Sequence, residues 1–393
     1  MIRTLVVDDT ALFRNLLGES LQKLSGIRVV GTAPNGRMAL SRIYTLKPDL
    51  VTLDIEMPEM NGIEVLEAIR AKGLDTQVVV VSSLTKRGGE LTMRALELGA
   101  FDFITKPEGA RGLEDFERTL GTIVGAVAKR IEIQGILKGV RKAAPAPLAG
   151  TDGGDAADPG AAARAGARAP SATIATTATI AAAAGAPGST GRSAYPPSAG
   201  RKEIVAIGTS TGGPQALLSM MPLLPGGLSA PILIVQHMPP LFTANLAASL
   251  SARCAFPVKE AENGEPLSAG VAYIAPGGRQ MKVALGPDAV TKILRVTDDP
   301  PENNCRPSAD YLFRSVAHLY YGKAVGVIMT GMGGDGTAGL DAMKRSGAYV
   351  LAQDERSCVV YGMPKSAVDA GVVDAVLPLD GIAAAVAAAL RRI

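Results

Sequence analysis

Short apolar runs recur along the N-terminal part of the chain, and stretches with the spacing of an amphipathic helix lie between them. The runs predict five strands, at 4–7, 28–31, 50–53, 77–81 and 101–104. Leu17, Leu21 and Leu24 are spaced to share one helix face with Phe13. Strands that are apolar throughout are buried on both faces. They therefore predict a parallel sheet covered by helices on each side, a flavodoxin-like α/β fold.

The C-terminal part repeats this alternation. Its apolar runs predict strands at 203–207, 232–235, 324–330, 349–352 and 373–377. Helical patterns follow most of them, for example at 214–221 and 337–346. The segment 256–296 is instead rich in glycine and proline, which predicts hairpins at an edge of the sheet. The prediction is a second doubly wound parallel-sheet domain, Rossmann-like, with an added β-hairpin.

Composition changes abruptly between these two parts. Residues 143–200 are mostly alanine, glycine, proline, serine and threonine, with almost no large apolar side chains to bury. This predicts a connecting helix followed by a flexible, disordered linker, and domain boundaries of 1–122, 123–200 and 201–393. The alternative is that the ATIATTATIAAAA stretch forms a helix or strand packed on a domain.

Composition and charge argue against several classes of protein. The 393-residue chain carries a net charge of only +3, which does not favour nucleic-acid binding. Its three cysteines form no C-x-x-C pair, so neither a disulfide framework nor a zinc site is indicated. Two aspartates interrupt the N-terminus where a signal peptide would be apolar, and no run of about 18 apolar residues occurs. We therefore expect a cytoplasmic protein without membrane insertion.

Polar side chains stand where the N-terminal strands end. Asp8 and Asp9 follow the first predicted strand, Asp54 the third, Ser82 the fourth and Lys106 the fifth. In an open parallel sheet these strand ends face one crevice, where ligands bind. Three carboxylates at close range repel one another unless a cation lies between them, and oxygen ligands suit Mg²⁺. The sequence therefore predicts a magnesium site, against the alternative of solvated acidic loops without a metal.

This N-terminal segment resembles the receiver domain of two-component response regulators. The resemblance rests on VVDD, LDIEMPEMNG, VVSS and FITKP, in the order and spacing of that family. It implies that Asp54 accepts a phosphoryl group from a histidine kinase, while Asp8 and Asp9 hold Mg²⁺ together with Asp54. It also implies that Ser82 hydrogen-bonds a phosphoryl oxygen and that Lys106 pairs with the phosphoryl group. A cation and a lysine neutralise the charge that a transferring phosphoryl group spreads over its oxygens.

A glycine-rich turn follows the first strand of the C-terminal part. Ser210 lies at the centre of Gly-Thr-Ser-Thr-Gly, between a strand and a helix, where a turn can hold a serine hydroxyl at the sheet edge. Alone, the motif is equally typical of a simple turn. However, His237, one of only two histidines, directly follows the next strand, and Asp335 follows a third. Hydroxyl, imidazole and carboxylate together predict a Ser-His-Asp site for acyl transfer.

The loop that carries Asp335 allows a different interpretation. GMGGDG matches G-x-G-x-x-G, and Asp354 follows at the end of the next strand, as in a dinucleotide-binding site. Against this alternative, Asp335 would place a negative charge in the pocket meant for a pyrophosphate. The chain order Ser, His, Asp also differs from the order Ser, Asp, His of α/β-hydrolases, so the G-x-S-x-G turn does not indicate that superfamily.

Over nearly its whole length outside the linker, the chain resembles the CheB family of chemotaxis protein-glutamate methylesterases. The motifs are GTSTGGP, QHMPP, YIAPGG, RPSAD and MTGMGGDG, preceded by a receiver as in that family. The resemblance implies hydrolysis of γ-glutamyl methyl esters on methyl-accepting chemotaxis receptors, with release of methanol, and deamidation of receptor glutamines. It implies no cofactor for this reaction. It also implies an oxyanion hole at the backbone N–H of Met332, with Thr211 as a lesser candidate.

The same resemblance implies how the two domains are coupled. In that family an unphosphorylated receiver packs over the esterase crevice, and phosphorylation loosens the packing. Phe103 stands where the family carries a switch residue. The long linker departs from the family and predicts weaker inhibition, because a long tether lowers the effective concentration of one domain at the other. The alternative function is a phosphoryl-accepting scaffold with a vestigial second domain.

Overall fold

The computed structural model of this protein describes residues 1–107, 109–142 and 200–391. The linker predicted for 143–200 lies outside the described residues, except for Gly200, and the alternative for the ATIATTATIAAAA stretch lies outside them entirely. The N-terminal and C-terminal domains pack together within one compact unit. Among the described helices, none is both long and apolar enough to cross a bilayer.

The N-terminal domain contains a five-stranded parallel sheet. Its strands are β1 (Ile2–Val7), β2 (Ile27–Ala33), β3 (Leu50–Asp54), β4 (Gln77–Ser82) and β5 (Asp102–Thr105). Its helices are α1 (Ala11–Gln22), α2 (Gly36–Leu46), α3 (Gly62–Ala71), α4 (Lys86–Glu97) and α5 (Gly109–Lys142). The sheet order β2-β1-β3-β4-β5 is that of a flavodoxin-like fold and confirms the prediction.

Side-chain caps determine where two of these helices begin. Asn61 accepts hydrogen bonds from the backbone N–H groups of Ile63 and Glu64, and the Glu64 carboxylate accepts one from the Asn61 N–H. Thr85 accepts from the Gly88 N–H at the start of α4. Caps of this kind stabilise a helix start by about 1 kcal/mol each. The two caps fix where the loops after β3 and β4 stop and the helices α3 and α4 begin. These loops lie at the sheet edge that carries Asp8, Asp9 and Asp54.

The C-terminal domain contains a seven-stranded, entirely parallel sheet with a separate two-stranded ribbon. The strands are β6 (Ile204–Thr209), β7 (Ile232–Gln236), β8 (Val258–Glu260), β9 (Ala272–Ile274), β10 (Gln280–Leu285), β11 (Lys292–Thr297), β12 (Ala324–Ile328), β13 (Tyr349–Gln353) and β14 (Ala375–Leu377). The helices are α6 (Gly213–Met220), α7 (Phe242–Ser251), α8 (Ala309–Tyr320), α9 (Thr337–Arg345), α10 (Met363–Asp369) and α11 (Leu379–Arg391). The sheet order is β14-β13-β12-β6-β7-β9-β8. This arrangement confirms the prediction of a second parallel α/β domain with an added hairpin.

The segment 256–296, predicted as hairpins throughout, is a hairpin only in part. β10 and β11 form an antiparallel ribbon that packs on α8, where Ser315 Oγ accepts a 3.0 Å hydrogen bond from the Val283 N–H. β8 and β9 instead extend the parallel sheet beyond β7. Here the prediction was wrong. At three residues each, β8 and β9 are too short to show a periodicity.

The three central strands of this sheet bring three loops together. β6 lies between β7 on one side and β12 on the other. The chain first adds β7 beside β6 and later returns to place β12 along the opposite edge of β6. Such a reversal of strand order opens a crevice beyond the carboxyl ends of the strands. The loops after β6, β7 and β12 carry Ser210, His237 and Asp335.

Candidate active site

The carboxylates predicted for the receiver converge at one edge of its sheet. One oxygen each from Asp8, Asp9 and Asp54 lies within 4.8 Å of the others. Asp8 and Asp54 are buried, whereas Asp9 is exposed. Lys106 Nζ lies 2.7 Å from Asp8 Oδ2 and 2.8 Å from Asp54 Oδ2. This set of hard oxygen donors, one of them open to solvent, fits Mg²⁺ with some of its waters retained.

Burial and charge tune the two central groups of this cluster. Burial raises the pKa of Asp54 to about 6, although the Lys106 ammonium pulls it down. Burial lowers the pKa of Lys106, but its hydrogen bonds to Asp54 and Asp8 outweigh burial and raise it above 10.5. Lys106 therefore stays charged beside a carboxylate that titrates near neutrality. Ser82 lies at the end of β4, but its hydroxyl donates to the Gly88 carbonyl at 3.2 Å.

Ser210 and His237 occupy equivalent positions after neighbouring strands. β6 and β7 are paired in register up to Thr209 and Gln236, so Ser210 and His237 are the next residues on each strand. The His237 N–H donates to the Thr209 carbonyl at 3.1 Å, and the Gln236 side chain donates to the Ser210 carbonyl at 2.9 Å. Neighbouring strands lie about 4.8 Å apart, so this register brings the Ser210 and His237 side chains to the same edge of the sheet.

His237 is held by Asp335. His237 Nε2 and Asp335 Oδ2 are 2.8 Å apart, and Asp335 is buried. The Asp335 carboxylate also accepts from Ser308 Oγ at 2.6 Å, the Ala309 N–H at 2.6 Å and Asn303 Nδ2 at 2.9 Å. Sequence reasoning missed Asn303 and Ser308 as supports. Ser308 lies within the RPSAD motif, which was the one available signal.

The second nitrogen of His237 faces a cysteine that sequence reasoning also missed. Cys305 Sγ lies 3.6 Å from His237 Nδ1. Within the described part of the chain, no hydrogen bond joins the Ser210 hydroxyl to the His237 ring. Because Asp335 occupies Nε2, Nδ1 is the ring nitrogen that remains for a further partner. The structure therefore holds the three groups in one cleft, with the serine and histidine not yet hydrogen-bonded.

The glycine loop after β12 passes directly beside Ser210. A Cβ atom on Gly331 would lie 2.8 Å from the Ser210 Cβ, so only glycine allows this approach. Gly333 has a φ of 81°, the left-handed region that favours glycine. The Met332 backbone lies between these two glycines, next to the serine. Thr211 directly follows Ser210 in the chain, and its carbonyl accepts a 2.9 Å hydrogen bond from Thr330 Oγ1. Both predicted oxyanion positions therefore border the serine.

The dinucleotide alternative has no support in the structure. Asp335 faces His237 and the start of α8, where it accepts hydrogen bonds. Asp354 accepts hydrogen bonds from the Ser357 N–H and hydroxyl within its own turn. Both carboxylates are thus already engaged in local hydrogen bonds.

Comparison with known proteins decides the family. The family model for the CheB methylesterase matches residues 205–386, and that for the response regulator receiver domain matches residues 4–116. The protein-glutamate methylesterase/protein-glutamine glutaminase of Desulfotalea psychrophila is 47% identical, over 97% of this chain and 96% of the relative. Its namesake in Bacillus subtilis is 42% identical, over 100% and 99%. The chain belongs to the CheB methylesterase family.

Among solved structures, the CheB methylesterase catalytic domain of Thermotoga maritima is 41% identical to this chain. It covers 48% of this chain and 98% of its own, with a TM-score of 0.46. Membership of the CheB family confirms the resemblance inferred from the motifs and makes this protein a hydrolase with a receiver domain.

In this CheB-family enzyme the receiver reaches into the cleft that holds Ser210 and His237. The cleft has a volume of about 720 Å³, and β5 and α5 of the receiver line it together with the loops that carry Ser210, His237 and Asp335. Thr122 Oγ1 lies 2.9 Å from Met332 Sδ, and Asp102 Oδ2 accepts a 2.9 Å hydrogen bond from the Gly212 N–H, two residues after Ser210. Receiver side chains therefore contact both loops that flank the serine.

Two further contacts join the receiver to the C-terminal domain. The Phe103 ring stacks on Phe242 of α7, with centroids 5.0 Å apart and planes 9° from parallel. Arg253 and Glu97 form an ion pair at 3.1 Å across the same interface. Burial raises the pKa of the Asp102 carboxyl to about 6, although the N–H groups of Phe103 and Gly212 lower it. Asp102 is thus a buried carboxyl held at this interface by the Gly212 N–H.

We expect the esterase activity of the unphosphorylated enzyme to rise with pH. Burial lowers the pKa of His237, but Asp335 and Cys305 outweigh burial and raise it to about 9. A general base acts only when neutral, so kcat/KM should increase about tenfold per pH unit below that pKa. Methanol release at a series of pH values, corrected with a Ser210→Ala blank for spontaneous ester hydrolysis, measures this profile. A profile that is flat between about pH 6 and pH 8 would contradict the raised pKa.

Proposed function

We propose that this chain hydrolyses γ-glutamyl methyl esters of methyl-accepting chemotaxis receptors in the cytoplasm, and that it also deamidates receptor glutamines. The relatives named above carry both activities in their names. The observation that carries the proposal is the convergence of Ser210, His237 and Asp335 after three adjacent strands, with His237 and Asp335 2.8 Å apart. A serine beside a histidine that a carboxylate orients is equipped for acyl transfer, and both reactions are acyl transfers.

In the proposed mechanism, His237 Nδ1 removes the proton of Ser210 as its oxygen attacks the ester carbonyl. Asp335 holds Nε2 and stabilises the imidazolium that forms. His237 then protonates the leaving oxygen, which departs as methanol and leaves an acyl-enzyme. A water molecule, deprotonated in turn by His237, releases the glutamate and restores Ser210. A glutamine side chain follows the same course with ammonia as the leaving group.

The negative charge of the tetrahedral intermediate needs a donor beside Ser210. We assign this role to the Met332 N–H, with the Thr211 N–H as the lesser candidate. The close approach of Gly331 to Ser210 supports Met332, because the next amide along the chain is then beside the attacked carbonyl. Each such donor typically stabilises the transition state by about 3 kcal/mol.

The receiver supplies the regulatory part of the proposal. Asp54 accepts a phosphoryl group from a chemotaxis-type histidine kinase, and Asp8, Asp9 and Asp54 hold Mg²⁺. When bound, Mg²⁺ supplies positive charge to the phosphoryl oxygens during transfer. Lys106, which now contacts Asp54 and Asp8, pairs with the phosphoryl group instead. For Ser82 to donate to a phosphoryl oxygen, its hydroxyl must turn away from the Gly88 carbonyl.

Phosphorylation and catalysis are coupled through β5 and the residues that follow it. Lys106, at the phosphoryl site, comes three residues after Phe103 and four after Asp102, both of which contact the catalytic domain. A movement of Lys106 toward a phosphoryl group therefore acts on the same short segment that closes the cleft. We propose boundaries of 1–122 for the receiver and 201–393 for the catalytic domain, joined by a linker over 123–200.

Replacing Phe103 by alanine is expected to raise basal activity about twofold to tenfold, because a stacked aromatic pair contributes about 0.5–1.5 kcal/mol. The same variant should respond less to phosphorylation, since part of the inhibitory contact is already lost. Methanol release with and without acetyl phosphate measures both effects. Tyr44→Ala, which removes a ring from the exposed surface of α2, is the matched control. Equal basal activity in Phe103→Ala and the wild type would argue against inhibition through this contact.

Methanol release from methylated receptor membranes tests the whole proposal. Acetyl phosphate with Mg²⁺ should raise the rate of the wild type by about five-fold to 150-fold, the usual range of allosteric coupling. Chelation of Mg²⁺ or the Asp54→Asn substitution should remove the stimulation and leave the basal rate. Phosphorylation of Asp54 without any methanol release would instead favour the phosphoryl-accepting scaffold with a vestigial second domain.

A further inference from the structure

Cys305 is a nucleophilic side chain that the proposed ester hydrolysis does not use. Its sulfur lies 3.6 Å from His237 Nδ1 and 3.4 Å from the Asn303 carbonyl, at the wall of the catalytic cleft. The residue is partly exposed. Asp335 holds the opposite nitrogen of the His237 ring at 2.8 Å. The Cys305 thiol, the His237 imidazole and the Asp335 carboxylate therefore form a row.

This row has the parts that activate a thiol: a nucleophile within reach of a base, and a base oriented by an acid. We propose that Cys305 is a modification site, at which a small disulfide forms a mixed disulfide and switches the esterase off. The expected loss of esterase activity rests on the proposed function, whereas the formation of the mixed disulfide at Cys305 does not. No receptor is needed for the thiol to react.

The exchange is balanced. When His237 is in its neutral form, the Cys305 thiol transfers its proton to Nδ1, and the thiolate attacks one sulfur of the small disulfide. The S–S bond of that disulfide breaks as the new S–S bond forms. Half of the reagent leaves as a thiolate, which takes up the proton. Excess small thiol reverses the step, so the modification is reversible.

The position of Cys305 explains why an adduct there would stop catalysis. His237 Nε2 is occupied by Asp335, so Nδ1 is the nitrogen left for Ser210. Cys305 Sγ lies against that nitrogen. A group attached to Sγ would lie between Ser210 and its base and would fill part of the cleft.

The other two cysteines provide an internal contrast. Cys254 and Cys358 are also free thiols. Burial raises the pKa of Cys254 to about 11 and that of Cys358 to about 12, so both remain protonated at neutral pH. Cys305 instead has an imidazole nitrogen 3.6 Å from its sulfur, which can take the thiol proton, so we expect modification to select Cys305.

The test treats the full-length protein with 2-hydroxyethyl disulfide and locates the adduct by peptide mass spectrometry. We expect the adduct on Cys305, with a loss of esterase activity of about tenfold or more that dithiothreitol restores. His237→Gln should slow adduct formation, a readout independent of catalysis.

Three variants serve as controls, each compared with its own untreated sample. Cys305→Ser should keep its activity after treatment, whereas Cys254→Ser and Cys358→Ser should lose theirs as the wild type does. Equal inhibition of Cys305→Ser, or a Cys305 adduct with undiminished activity, would overturn the proposal. Adduct formation on Cys305 in a protein that never releases methanol would instead refute the proposed esterase function and leave the reactive thiol standing.

Discussion

Replacing Ser210 by alanine is expected to lower methanol release by up to about 10⁶-fold, the size of effect seen when a serine nucleophile is removed. Binding and the oxyanion donors would remain, so a small residual rate over water is expected. Within the described residues the Ser210 hydroxyl makes no hydrogen bond, and its backbone bonds to Thr330 and Gly213 do not depend on the side chain. The free energy of unfolding should therefore change by less than about 0.5 kcal/mol.

The matched control is Ser219→Ala, on the helix that follows the same turn. Its hydroxyl donates to the Gln215 carbonyl and lies away from the cleft. Activity of this variant should equal that of the wild type. If Ser210→Ala kept full activity while remaining folded, another nucleophile would have to be found, and Cys305 would be the first to test.

Replacing Asp335 by asparagine is expected to reduce kcat about 10⁴-fold, because the imidazole loses the partner that sets its tautomer and stabilises its charge. Stability should also fall. The carboxylate accepts from Ser308, Ala309 and Asn303, and an amide would turn an N–H toward at least one of these donors. A donor facing a donor in the interior typically costs about 1–3 kcal/mol. Activity per folded molecule and urea unfolding together separate the two effects.

Asp374→Asn is the control for Asp335→Asn. Asp374 pairs with Lys344 and accepts a hydrogen bond from the Val350 N–H, at the opposite end of the sheet from the cleft. This variant should lose stability without losing kcat in the folded fraction. If Asp335→Asn lost stability but kept kcat, the carboxylate would be a structural support rather than part of the catalytic site.

The arrangement of Ser210 and His237 also bears on regulation. The two side chains share a cleft but are not hydrogen-bonded, and the receiver contacts the loops on both sides of the serine. Under the proposed function, this arrangement corresponds to a resting form in which the receiver borders the cleft and the proposed base faces Cys305. Release of Asp102 from Gly212 would free the turn that carries Ser210.

Most secondary structure was predictable because its signals are local. Apolar runs predicted all five strands of the receiver sheet and five of the seven strands of the second sheet, with boundaries that agree within a few residues. The convergence of Ser210, His237 and Asp335 was predictable for a related reason, since carboxyl ends of adjacent parallel strands must lie at one edge. The strands β8 and β9 were missed because each has only three residues, too few to show a periodicity.

Sequence by itself determined the two parallel α/β domains, the order of motifs and the prediction that Ser210, His237 and Asp335 lie at one edge of a sheet. Only the tertiary structure decided which nitrogen of His237 faces Asp335, that Cys305 lies at the other nitrogen, and that Asp102 of the receiver binds the serine turn. The physical reason is distance along the chain: Cys305 and His237 are 68 residues apart and Asp102 and Gly212 are 110 apart. Periodicity and spacing report on neighbours in sequence, whereas these contacts depend on how loops fold back after both sheets have formed.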